Sequence, residues 1–363
     1  MLKFIIVRAF ALFMAVLMAE IFIRMIYKEE LVFSSWYSKG IHTPDENLGF
    51  RLTPHYKGSM SHADHVWGVP LELDKYGYRK EANNKVQGKQ KKILILGGAS
   101  MMFSYGLPDS KTVHHRLAYH SQNNVVVKNC SCAGAPLFHT WKTYHKYLDP
   151  YYTPDIVVVC VFSENLKKFN SIPSDIYMTE KYTYDQNIHF VGNCLRVPLG
   201  RIEEMFGEPL FKSHILYSLL QQRHGLNKMI GEIKLGKPKY KPREPYRNVT
   251  LHNFLQLANK LKAHFEKKGS EFIFVFLPIQ RLNIKTIKML NLPDTELNTR
   301  EIYTNFFNTL PSTMTKYDLN KMLYEKIQYT SFQGNNHYGR DTADLIGLTL
   351  ADLVDKKIDF IKK

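Results

Sequence analysis

The sequence predicts an α/β fold built on a mostly parallel sheet, and three observations predict it. Short, unbroken apolar runs recur at 93–96 (ILIL), 124–129 (NVVVKN), 155–162 (DIVVVCVF) and 271–277 (EFIFVFL). Between them lie segments with apolar residues at helical spacing: Leu137, Trp141, Tyr144 and Leu148 in one, and Phe254, Ala258, Leu261 and Phe265 in another. Glycine and proline punctuate the series, with Gly97 and Gly98 after the first run, Pro154 before the third and Pro278 after the fourth. Strands that are apolar on both faces need cover on both faces, which alternating amphipathic helices supply.

In chain order, the first segment differs in kind. Residues 3–26 read KFIIVRAFALFMAVLMAEIFIRMI, about as long as a membrane span of roughly 20 residues. Arg8 and Glu20 interrupt it and leave a short uncharged centre. An uncleaved signal-anchor, a cleaved signal peptide and an amphipathic helix docked on the body are the three readings. No good small-residue cleavage site ends the stretch, which favours the anchor over 1–30. Lys3 and Arg8 favour a single pass through the inner membrane with the body outside the cytoplasm.

Residues 31–91 form a lead-in arm expected to pack on the main domain, which runs from 92 to 363. The arm is aromatic and turn-rich, with Asp45 to Arg51 (DENLGFR) and Asp74 to Arg79 (DKYGYR) as its distinctive phrases. Short strands suit that texture. A helix is expected from about Asp109, others over 136–148 and 251–268, and a last one over 339–354.

Composition narrows the class. In 363 residues, 44% hydrophobic and 13% aromatic content fits a packed body. Four cysteines are too few for a disulfide framework, and Cys130 and Cys132 have neither redox nor zinc spacing, so buried inert thiols are expected. The net charge is +16, and a basic, proline-broken run lies at 223–247. It is either a solvated insertion or a contact for anionic lipid or acidic glycan. No finger spacing, RNP block or basic recognition helix is present, so no nucleic-acid partner is expected.

The chain is organised around 92–109, KILILGGASMMFSYGLPD. A strand, a tight glycine turn and Ser100 make a holder for a nucleophile. Three known glycine motifs do not fit. A phosphate loop needs a lysine after its last glycine, and the dinucleotide fingerprint needs G-x-G-x-x-G. The elbow G-x-S-x-G fails because Met102 stands at its last glycine.

Sites in such sheets lie beyond the carboxyl ends of the strands. After the second strand comes Gly134, whose N–H suits an oxyanion. After the third comes Asn165, a side-chain amide donor, and just before the last helix comes His337, a candidate general base for Ser100. Each has a plainer role open to it, as loop glycine, turn cap or surface histidine.

Ser100, Gly134, Asn165 and His337 occur in the order that gives the SGNH (GDSL) hydrolase superfamily its name. The chain resembles that superfamily, in particular its membrane-anchored bacterial branch of esterases and polysaccharide O-acyltransferases, from about Asp45 to its end. The lead-in phrases and Pro154-Asp155 belong to the resemblance, and 168–250 looks like an insertion. The resemblance implies a three-layer α/β/α flavodoxin-like fold with a five-stranded, mostly parallel sheet. It implies Ser100 as nucleophile, His337 as base, and Ser100 N–H, Gly134 N–H and Asn165 as oxyanion donors. The chemistry requires no metal or cofactor. The substrate implied is an acyl ester, acetyl above all, on envelope or exported polysaccharide.

Two departures stand out. Ala99 occupies the position of the family's first aspartate, and Gly334 the position three residues before the histidine, where an aspartate normally orients the imidazole. Asn335, Asp341 or Asp318 is left to orient His337, with Asp344 a further carboxylate within the last helix. A serine esterase or O-acyltransferase is the leading expectation. A catalytically silent glycan- or partner-binding domain is the alternative, and a structural part of an envelope assembly the third.

Overall fold

The computed structural model describes residues 2–26, 40–62, 65–84, 86–162, 189–191, 194–196, 248–278, 304–327 and 337–361. The chain divides into two compact units. The smaller comprises Met1–His42, Met60–Gly68 and Asp185–Lys241, and the larger Thr43–Ser59, Val69–Tyr184 and Pro242–Lys363.

In the smaller unit, α1 (Leu2–Ile26) is a single helix carrying exposed apolar side chains, Phe10 and Phe13 among them. The helix was expected and its spanning role is not supported. Among the described residues no helix is long and apolar enough to cross a membrane. Arg8 and Glu20 leave only 9–19 between them as an uncharged stretch, shorter than the roughly 20 residues of a span. The same unit holds an antiparallel pair, His189–Val191 with Cys194–Arg196. The basic run at 223–247 lies outside the described residues.

The larger unit is an α/β body. Its sheet strands are β1 (Ala82–Asn83), β2 (Lys91–Gly97), β3 (Val125–Asn129), β4 (Ile156–Val161), β5 (Glu271–Phe276) and β6 (Lys316–Asp318). They lie in the order β6-β5-β4-β2-β3-β1. β2 to β6 are mutually parallel, and β1 adds an antiparallel edge along Val126 and Val127. Counting the five parallel strands in chain order gives 2-1-3-4-5, the flavodoxin-like arrangement. Five strands were expected, and the sixth is this two-residue edge from the lead-in. Register is fixed by the central strand: Ile93 pairs with Val127 on one side and Ile156 on the other.

Alternation along the strands makes two cores. On one face Leu94, Leu96, Val157, Val159, Phe272, Phe274 and Phe276 pack with α4 (Leu137–Tyr147) and α5 (Asn248–Lys267). On the other, Ile93, Ile95, Val125, Val127, Val158, Ile273 and Val275 pack with α3 (Val113–His120) and α6 (Arg340–Ile361). The larger unit therefore has three layers. Phe254 sits at the centre of an aromatic cluster, 5.6 Å from Phe274 and 5.0 Å from Phe306 between ring centroids. Each such pair adds about 0.5–1.5 kcal/mol beyond its buried area.

The phrase at Asp45–Arg51 is fixed by α4. Asp45 accepts from the backbone N–H of Asn47 and Leu48 at 3.0 Å, from Lys146 at 3.4 Å and from the Tyr147 hydroxyl. Burial alone would raise its pKa, but the Tyr147 hydrogen bond and these other partners hold it below the usual value. Arg51 lies over the Tyr147 ring at 4.0 Å, and the Phe50 carbonyl is 2.8 Å from His139 Nε2.

Candidate functional site

The serine turn starts where β2 ends. Gly97, Gly98 and Ala99 all have positive φ, at 87°, 73° and 48°. A Cβ on Gly97 would stand 2.5 Å from the Cys160 carbonyl oxygen, and one on Gly98 2.2 Å from Met102 Cγ. Only glycine suits either place. Ala99 has no such freedom, and a left-handed alanine costs about 1–2 kcal/mol. The chain then makes one turn of helix, α2 (Ala99–Phe103), with Ser100 in it. Ser100 is half-buried, less open than a freely exposed nucleophile, and its hydroxyl makes no hydrogen bond among the described residues.

The segment after α2 is wrapped around Arg79. That side chain is fully buried and paired with Asp109. Its other terminal nitrogen donates to the carbonyls of Ser104 at 3.2 Å and Leu107 at 3.0 Å, and its guanidinium lies 4.9 Å from the Phe103 ring centre. Burial lowers the Arg79 pKa while Asp109 works to raise it. The buried cation thus gathers acceptors from the turn that follows the serine. Two phrases singled out in the sequence, Gly-Tyr-Arg and Tyr-Gly-Leu-Pro-Asp, are two halves of one contact. The helix expected from Asp109 begins as a short 3-10 turn, Asp109–Lys111, and continues as α3.

The loop after β3 is tied to the same turn. Asn129 Nδ2 donates to the Met102 carbonyl at 2.7 Å, and its Oδ1 accepts from Ser131 N at 3.0 Å. Ser131 Oγ donates to the Gly97 carbonyl at 2.6 Å. Gly134 lies three residues further on, half-buried, with φ 80°. Buried His114 supports Asn129: its Nδ1 is 3.3 Å from the Asn129 amide, and its Nε2 is 3.2 Å from the Lys80 carbonyl. Burial, then the charges of His115 and Arg79, hold its pKa well below the ordinary value. Asn129 donating to Nδ1 and Nε2–H donating to Lys80 describe one neutral tautomer.

His337 comes to this end of the sheet. Its ring lies 6.0 Å from that of Tyr105, whose backbone N–H donates to the Ser100 carbonyl at 3.1 Å. The next residue, Tyr338, donates its hydroxyl to the Pro278 carbonyl at 2.7 Å, anchoring the approach to α6 beyond the end of β5. Ser100, the Gly134 loop and His337 therefore belong to one edge of the sheet. Asn165 and Asn335 lie outside the described residues.

Two of the candidate orienting carboxylates, Asp318 and Asp344, already have partners. Asp318 caps the short helix Leu319–Met322, accepting from Asn320 N at 2.9 Å and Lys321 N at 3.4 Å. Asp341 is exposed in the first turn of α6. Asp344 is engaged by Arg116 and by His120 at 2.9 Å, on the α3 side. Cys130, Cys132 and Cys160 are buried free thiols whose pKa is pushed up by burial. Sequence reasoning missed Arg79, Asn129, Ser131 and His114 as supports. Asn129 and Ser131, two residues apart where β3 ends, were the available signal.

Neither a family model nor a curated protein matches this chain. Among solved structures it is similar to a carbohydrate esterase family 2 enzyme with a carbohydrate-binding domain from Corynascus thermopiles (Myceliophthora fergusii). The likeness has 12% identity and a TM-score of 0.36, and covers 76% of this chain and 68% of that one.

Proposed function

We propose that this chain is a serine esterase or O-acyltransferase of the SGNH type, acting on acyl esters of carbohydrate. One observation carries the reading. Ser100 follows the first parallel strand, at the reversal of strand order in a 2-1-3-4-5 sheet, with the Gly134 loop fastened to its turn and the His337 ring 6.0 Å from that of Tyr105, five residues after the serine. Crevices at that reversal are where open α/β sheets bind ligands.

In the proposed reaction Ser100 Oγ attacks the ester carbonyl as its proton passes to His337. The negative charge that develops on the carbonyl oxygen is met by the N–H groups of Ser100 and Gly134 and the Asn165 amide. Collapse of the tetrahedral intermediate breaks the bond to the sugar oxygen, which takes the proton back from His337. Water then resolves the acyl-serine to a free acid, or a second sugar hydroxyl resolves it to a new ester. An acetyl group on envelope or exported polysaccharide is the proposed donor. The proposal extends to location: α1, with its exposed apolar side chains, associates with the inner membrane, and the body lies outside the cytoplasm.

The test is release of acetate from acetylated polysaccharide and from a small acetyl ester, by wild type and Ser100→Ala. Activity confined to wild type supports the reading. A second reading, a silent glycan-binding domain, draws on the absence of any hydrogen bond from the Ser100 hydroxyl among the described residues. Equal background rates in both proteins, with glycan binding retained, would favour it.

A further inference from the structure

At the opposite edge of the sheet, just before β4 and β5 begin, three ligand-type side chains converge. His145 stands in the last turn of α4, Asp149 opens the 3-10 turn Asp149–Tyr151, and His264 is in the last turn of α5. One ligand atom from each lies within 4.8 Å of the others. His145 Nδ1 is 3.1 Å from one oxygen of Asp149, and His264 Nε2 is 3.1 Å from the other. Ligand atoms around a tetrahedral zinc-class ion, with metal–nitrogen bonds of about 2.0 Å, sit roughly 3.3 Å apart. The two observed separations match that length, one to each oxygen of the carboxylate, and the three ligand atoms together span no more than 4.8 Å.

The rings are held in place by Trp141. Its indole stacks on His145 at 5.0 Å and 22° and meets His264 edge-on at 4.8 Å. Asp149 is buried, whereas His145 is 56% exposed, which leaves an entry path from solvent. A cation already sits on the carboxylate: Lys268 Nζ lies 2.6 Å from Asp149 Oδ1 and 2.9 Å from its carbonyl. That ammonium supplies positive charge where a metal ion would. Its side chain is a quarter exposed, with solvent to move into.

We propose that His145, Asp149 and His264 form a binding site for a divalent transition-metal ion of the zinc class, with water in the fourth position. Two imidazoles and one carboxylate suit zinc, cobalt or nickel, and not calcium or magnesium, which take all-oxygen shells. The Lys268 ammonium and the metal ion are alternative occupants of one carboxylate. Binding joins the end of α4 to the end of α5 and is remote from Ser100.

Full-length protein stripped with a chelator and titrated with Co2+ and then Zn2+ tests the site. Expected are one equivalent of Co2+ with the strong visible bands of a tetrahedral site, and its displacement by Zn2+. His145→Ala and His264→Ala should each weaken binding by about 10–100-fold or more, and Lys268→Met should tighten it. His145→Gln keeps a polar group at an exposed position and should lose the bands while remaining folded by circular dichroism. A wild type without tetrahedral Co2+ bands, or histidine variants that bind as wild type does, would overturn the proposal.

Discussion

The guanidinium of Arg79 is buried against the carboxylate of Asp109, thirty residues further along the chain. The pair joins the lead-in to the turn behind Ser100, and the same guanidinium takes two carbonyls of that turn. Removing the carboxylate strands the fully buried guanidinium, at about 3–5 kcal/mol, and removing the guanidinium costs less because Asp109 is 34% exposed. Arg79→Met and Asp109→Asn should each lower the urea midpoint accordingly. Arg79→Lys should rescue little, because a single ammonium cannot serve a carboxylate and two carbonyls in a fork. Unfolding of Arg79→Lys at the wild-type midpoint would show that the fork does not matter.

Gly97→Ala tests the turn itself. The new Cβ meets the Cys160 carbonyl at 2.5 Å, in a backbone with φ 87°. The strand partner β4 must shift, so a loss of roughly 2 kcal/mol or more is expected in chemical denaturation. Gly88→Ala is the control, because its φ is also positive but nothing lies within 4 Å of its Cβ. Equal losses at both positions would assign the cost to φ alone.

Buried His114 gives the protein a pH dependence of stability. Its folded pKa is depressed, so the unfolded chain binds the proton more readily. The stability this neutral ring contributes is complete above the unfolded pKa of about 6.5. As pH falls from there toward the folded pKa it is lost, at up to about 1.4 kcal/mol per pH unit. Urea unfolding between pH 7.5 and 5 should therefore show a shallower pH slope for His114→Gln than for wild type. Parallel slopes would mean that His114 does not titrate between the two states.

The layers of this fold were legible because the strands are apolar on both faces, a pattern that Val157 to Val161 and Phe272 to Phe276 carry without interruption. Ser100 and His337 stood out as candidates because each sits at a strand or helix boundary, where glycines mark the backbone's change of direction. Arg79 was not, since a buried arginine and a surface arginine are the same letter and only the acceptors gathered around it tell them apart. The His145, Asp149 and His264 cluster was hidden for a related reason: α4 and α5 meet only in the folded sheet. The helix over residues 3–26 was legible from its length and apolar content, whereas its spanning role is not supported.

The missing aspartate is open to direct repair. Gly334 holds the position three residues before His337 at which the superfamily that this chain resembles carries its orienting acid. Among the carboxylates at hand, Asp318 caps a helix and Asp344 is paired with Arg116 and His120. Loss of the orienting aspartate from a serine protease lowers kcat by about 10⁴-fold. Gly334→Asp should raise kcat on an acetyl ester by about tenfold or more, with KM little changed. Unchanged kcat in a folded variant would mean that His337 already has its orienting partner.

The central claim is that Ser100 is a nucleophile activated by His337, and covalent labelling tests it most directly. Full-length protein treated with a fluorophosphonate should gain one phosphonyl group, located by mass spectrometry on the peptide containing Ser100. The gain should vanish in Ser100→Ala and slow at least tenfold in His337→Ala, a modest share of the factor of about 10²–10⁴ ascribed to general base catalysis. Absence of label on folded wild type, or label on another serine that persists in Ser100→Ala, would contradict the claim.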